Sequence, residues 1–187
     1  MDRSAALTLI TSWTQSPNLI KHMLAVEAAM RALARHFHDD EELWGLTGLL
    51  HDLDYEKLKN TPEKHPSLIF AELEKQAVDS RIIQAIRSHA WHWQADAPEP
   101  VGKMEWSLFT CDELTGLIIA CALVQPDRKL TSVTVETVLK KLPKKDFAKG
   151  VDRERFNYIE PNLGLTISEF VGLCLTGLRS ISADLSL

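Results

Sequence analysis

Apolar residues along this chain recur at three- and four-residue steps, the spacing of one face of a helix. After Ser16-Pro17, an N-cap followed by proline at the first helical position, Leu19, Met23, Val26, Met30, Leu33 and Phe37 form the first such stripe. Asp39 with Glu42 reads as a capping box that opens a second helix. That helix carries Leu43, Trp44, Leu46, Leu49 and Leu50 and runs into His51-Asp52. Residues 54–66 break the pattern with Asn60, Pro62 and Pro66 and read as a loop. Pro66 is expected to open a helix through Leu68, Ile69 and Leu73, and Asp79 or Ser80 to cap the next. There, Ile82, Ile86, His89 and Trp93 are expected to share a face, which places Trp93 in the core. A loop over 94–102 precedes the longest expected helix, 103–124. Shorter helices are expected over 133–142 and 152–159, and Thr166 with Glu169 caps a last one through Phe170, Leu173, Cys174 and Leu178.

No strand-like alternation persists, and no repeat or low-complexity tract is present. Roughly seven to nine helices with short links predict a single all-α bundle. The chain's 187 residues suit one domain. Its core of interest spans about 17–125, followed by a C-terminal helical extension over about 130–187. The formal net charge of -5 argues against a nucleic-acid polymer or an anionic membrane as partner. It leaves room for a small phosphorylated substrate served by a metal ion. Cys111, Cys121 and Cys174 are scattered and form no C-x-x-C pair, so they read as reduced core residues of a cytoplasmic protein. Residues 1–13 lack the pattern of a signal peptide, and the longest apolar run, near 117–124, is too short to span a bilayer.

Polar residues intrude on these apolar faces. His22 and His89 each lie within an apolar stripe, His51-Asp52 ends an apolar helix, and Asp112 interrupts a hydrophobic run. A buried carboxylate is costly unless it is paired or binds a metal. Imidazole and carboxylate together suit Zn, Fe, Mn, Ni or Co. Singly, each has a plainer account, as a satisfied core histidine or a hydrogen-bonded aspartate. His36 and His38 flank a helix end and read as C-terminal caps.

The order His22, then His51-Asp52, then Asp112 resembles the H…HD…D signature of the HD superfamily of metal-dependent phosphohydrolases. The stretches GLLHDLDYE, IRSHAWHW and CDELTGLIIACALV are similar to small stand-alone HD-domain proteins, and the similarity runs from about Pro17 to near the C-terminus. The resemblance implies an HD-type helical bundle in which His22, His51, Asp52 and Asp112 hold one metal. It implies that His65 and His89 could hold a second divalent transition metal, with Asp52 bridging the two. For His65 a helix N-cap beside Pro66 is the alternative, and His92 is the alternative to His89.

In such a site Asp52, Asp54 and Lys57 are the catalytic candidates. Asp54 would serve as general base or orient a ligand histidine, with an exposed loop carboxylate as the plainer account. Lys57 stands in for the lysine that several HD families carry three residues after the motif aspartate, a position held here by Tyr55. That departure puts the phosphate contact in doubt. Lys140, Lys141, Lys144 and Lys145 form the one basic cluster, read either as a solvated helix end or as a rim that steers phosphate. Trp91 is expected to be the better stacking surface for a nucleobase than Trp93. The function implied is hydrolysis of a small phosphorylated metabolite, a nucleotide above all, by metal-activated water. The competing readings are a non-catalytic metal or nucleotide sensor and an HD-type di-iron oxygenase.

Overall fold

The computed structural model describes residues 1–187 and contains ten α-helices and no strand. They are α1 (Arg3–Trp13), α2 (Pro17–Phe37), α3 (Glu41–Leu50), α4 (Ile69–Lys75), α5 (Ser80–Ser88), α6 (Lys103–Leu123), α7 (Val135–Lys141), α8 (Ile159–Leu163), α9 (Ile167–Ser180) and α10 (Ser182–Leu185). The helix α1 was not expected. Only Ala6 and Ile10 of it are buried, which is too sparse a stripe to register as periodicity.

Caps set most boundaries. The Ser16 side chain accepts from the Leu19 amide at the start of α2, and His38 ends that helix in the left-handed conformation, φ 56°. Asp40, not Asp39, caps α3 by accepting from the Glu42 and Leu43 amides, so the expected capping box is one residue out of register. Thr166 and Glu169 form the reciprocal box expected for α9. Pro66 does not open α4. Asp54 from the preceding loop accepts from the Leu68 and Ile69 amides, and the helix starts at Ile69.

Around α2 pack α3, α9 and α6. Every residue of α3 from Leu43 to Leu50 is buried, so this helix is apolar all round because it is enclosed all round. Two glycines permit the closest approaches. A Cβ on Gly48 would lie 2.8 Å from the Val26 carbonyl oxygen, and one on Gly177 would overlap the Ala28 carbonyl. The helix α6 is long and apolar enough to cross a membrane by length and composition, but 67% of its apolar window is buried inside the bundle. One cluster of 43 buried apolar residues runs from Ala6 to Leu185, so 130–187 shares its core with the N-terminal helices.

Candidate metal centre

His22 projects from α2, His51 and Asp52 follow the end of α3, His89 follows the end of α5, and Asp112 comes from mid-α6. His65 comes from the 54–68 loop, and all six meet at one point. Two groups form there, His22–His51–Asp112 and Asp52–His65–His89, each with its candidate ligand atoms within 4.8 Å of one another.

His22 Nε2 is 3.0 Å from Asp112 Oδ1 and 3.4 Å from Asp52 Oδ2. His51 Nε2 is 3.4 Å from Asp112 Oδ1 and 3.5 Å from Asp52 Oδ1. His65 Nε2 is 3.0 Å from Asp52 Oδ1, and His89 Nε2 is 3.9 Å from it. The Asp52 carboxylate therefore touches both groups. Ligands about 2.0–2.2 Å from a common ion stand about 3–3.5 Å apart, so most of these separations fit a shared cation.

His51 and His89 are pre-set as neutral ligands. His51 Nδ1 donates to the Gly48 carbonyl at 2.8 Å, and His89 Nδ1 donates to the Ile86 carbonyl, in each case three residues back in the last helical turn. A carbonyl can only accept, so Nδ1 carries the proton and Nε2 presents a lone pair. His51 Nε2 is buried and has no hydrogen-bond partner at all. His65 Nδ1 lies 2.6 Å from Asp54 Oδ1, while its Nε2 stands 3.1 Å from that of His89. Two lone pairs cannot face each other at that distance unless a proton or a metal ion lies between them. The donor set therefore fits a divalent cation.

The electrostatics agree. Burial pushes the Asp52 and Asp112 carboxyls up, yet neighbouring histidines outweigh it and hold both well below the usual range. Burial lowers His22 and His65, but their hydrogen bonds to aspartates win and raise them to about 10 and about 9. His89 is lowered to about 3 by burial and by the nearby His65 and His51. Without metal, protons on His22 and His65 supply the positive charge that two buried carboxylates demand.

Several expected roles change. Asp54 is fully buried, and both its oxygens are committed, one to His65 and the other to the Leu68 and Ile69 amides. It orients His65 and has no oxygen free to act as general base. Lys57 is exposed, with its Nζ 3.2 Å from the centre of the Trp13 ring, and it does not line the cavity. His65 is not a helix N-cap: it closes the short 3₁₀ turn Pro62–Lys64, and α4 begins only at Ile69. His92 is exposed and nears Tyr158 instead of the centre. None of the four clustered lysines borders the cavity.

The two tryptophans exchange roles. Trp91 packs against Trp106, Phe109 and Tyr158 with ring centres 5.4–5.7 Å away. Trp93, expected in the core, is 41% exposed and borders the cavity, because α5 ends at Ser88 and its helical phase does not extend that far. The cavity, of about 560 Å³, opens over five of the six candidates, since His51 lies beneath it. Tyr55, Glu113 and Trp93 are also part of its wall and were not singled out for that role by the pattern. Glu113 is raised to about 7 by burial and by the adjacent Asp112. Arg155, also missed, lies within 3.5 Å of Asp112 and 3.7 Å of Glu113. An exposed-looking charge in a polar stretch gives no sign of burial.

An all-helical bundle that converges histidines and aspartates able to hold a divalent metal on one point defines the class of protein. Within it, residues 19–123 match the HD domain family model, which covers more than half of the sequence, and the chain belongs to the HD domain family. That family generally includes metal-dependent phosphohydrolases. Searches of curated proteins and of solved structures gave no match.

Proposed function

We propose that this chain is a metal-dependent phosphohydrolase acting on a small phosphorylated metabolite, with nucleotides first among the candidates. The observation that carries the reading is the pair of groups joined by Asp52, with their imidazole lone pairs aimed inward. In this reading His22, His51, Asp52 and Asp112 hold one ion, and Asp52, His65 and His89 hold a second. A divalent cation there supplies Lewis acidity towards a phosphoryl oxygen and acidifies water near neutral pH. The residues do the rest. Gly48 and Ile86 carbonyls and Asp54 fix the three imidazole orientations.

The cavity wall holds no lysine or arginine, so the phosphate's charge falls to the metal centre. Trp93 and Tyr55, 41% and 46% exposed at the cavity, offer apolar ring surface to the organic part of the substrate. Three buried free cysteines support a reducing, cytoplasmic setting.

Elemental analysis of the purified chain, with a phosphate-ester panel assayed with Mn, Co, Ni, Fe or Zn, tests the reading. We expect bound transition metal and metal-dependent release of phosphate, both abolished by Asp52→Ala. Turnover that survives Asp52→Ala sinks the mechanism. Metal without turnover would favour a sensor, and a strict requirement for dioxygen would favour a di-iron oxygenase.

A further inference from the structure

Arg155 sits on a 3₁₀ turn, Arg153–Tyr158, beyond the region matched by the family model. It is 3% exposed. Its guanidinium carbon lies 4.5 Å from the ring centres of both Trp93 and Phe109. Nη1 donates to the Phe109 carbonyl at 3.1 Å and stands 3.5 Å from Asp112 Oδ2. Nε is 3.7 Å from Glu113 Oε1 and 3.8 Å from Asp152 Oδ2.

The division of Asp112 is the informative feature. Its Oδ1 faces His22 and His51 at 3.0 and 3.4 Å, while its Oδ2 faces Arg155. We infer that Arg155 is a positioning residue for the metal centre: it holds Asp112 so that one oxygen alone is presented to a cation, and it fixes the Trp93 wall at the same time. The inference rests on the metal-centre reading above. A planar guanidinium clasped between two rings has little freedom, so the carboxylate it meets is held in one orientation. A lysine has the charge but neither the plane nor the fork. The C-terminal extension thereby supplies a part of the centre that residues 19–123 lack.

A buried arginine could also serve packing alone, and the test separates the two roles. Cobalt(II) is titrated into the metal-stripped chain, followed by its visible absorption bands, with no substrate present. Helical circular dichroism and melting are recorded on the same samples. Four chains are compared: wild type, Arg155→Met, Arg155→Lys and Arg153→Met. Arg153 sits on the same turn but binds only the carbonyls of Leu142, Lys144, Phe147, Ala148 and Val151. None of these is a candidate ligand, and of the five only Val151 borders the cavity.

Arg155→Met is expected to bind cobalt about 10–100-fold more weakly, with altered bands, in line with loss of a partner behind a ligand. Arg155→Lys should recover part of the affinity but not the wild-type bands. Arg153→Met should lower the melting temperature and leave cobalt affinity and bands as in the wild type. A folded Arg155→Met with wild-type affinity and bands overturns the inference. If Arg155→Met does not fold, Arg155→Lys decides, and wild-type bands there overturn it equally. A wild-type chain that takes up no cobalt removes the metal centre itself and this role with it.

Discussion

At the residue scale, the histidines of the centre make the metal-free chain sensitive to pH in both directions. His89 is held near 3, so it stays neutral when folded. Below about 6.5, the ordinary imidazole value, the unfolded chain binds a proton that the folded chain refuses, and stability falls with falling pH. His22 and His65 are raised to about 10 and about 9, so they stay charged when folded. Above about 6.5 the unfolded chain loses those protons first, and stability falls as pH rises towards 9–10. Glu113, raised to about 7, opposes His89 between about 4.5 and 6.5, since there the folded chain keeps a proton that the unfolded chain loses. We therefore expect the melting temperature of the metal-stripped chain to be nearly level from about pH 4.5 to 6.5 and to decline on both sides of that window. Reloading with metal should flatten the alkaline arm, because the cation replaces the two protons. A melting temperature of the stripped chain that rises steadily from pH 6.5 to 9 would contradict this account. Asp54→Asn is a second check at this scale. It replaces one anionic acceptor of His65 with a neutral amide, and metal content should fall to roughly one ion or less, with affinity at the His65 group down about 10–100-fold.

At the scale of elements, the approach of α2 to its neighbours depends on positions with no side chain. In Gly48→Ala the new methyl would meet the Val26 carbonyl oxygen at 2.8 Å and the Glu27 nitrogen at 2.9 Å, both of them backbone atoms with little room to move. We expect about 1–3 kcal/mol of destabilisation by urea unfolding, with helix content unchanged. Gly48 also lends its carbonyl to His51, so the same substitution should weaken metal binding. Thr166→Ala removes the reciprocal cap of α9 and should cost about 1 kcal/mol. It lies far from the centre in role, and metal content should not change.

The elements themselves were largely legible, and the misreadings have definite causes. The stripe of α2 is long enough to fix its period and phase, while α3 and α6 were legible as helices from their length and apolar content, being buried on most sides. Trp93 departs from its expected core place because α5 ends at Ser88, five residues earlier, and the helical phase ends with it. The side chains of Asp54 and Lys57 diverge because the path of the 54–68 loop, not a repeat, sends one inward to His65 and the other outward to Trp13. His65 was found through resemblance, since no periodicity governs a loop.

For the whole molecule, the match over 19–123 marks where the motif lies but not what folds. Phe170, Val171, Cys174 and Leu178 of α9 are buried in the same core as Val26 and Leu33 of α2. A chain cut after Gln125 would expose that face of α2 and lose Arg155. We expect it to melt without a cooperative transition and to bind no metal with defined stoichiometry, as read by calorimetry and elemental analysis. A cooperative melt of that fragment would show that the extension is an appendage.

The amino-acid order alone determined that the chain is helical and where its main helices lie, because period and caps are local or nearly so. It also marked His22, His51, Asp52 and Asp112 as polar residues at apolar positions, and resemblance to the HD signature, not spacing, joined them into one set. Only the tertiary structure decided that Asp54 serves His65, that Trp93 and not Trp91 walls the cavity, and that Arg155 stands behind Asp112. Each of these depends on contacts between segments far apart in sequence, whose meeting is set by how helices pack and loops return, which no spacing along the chain encodes.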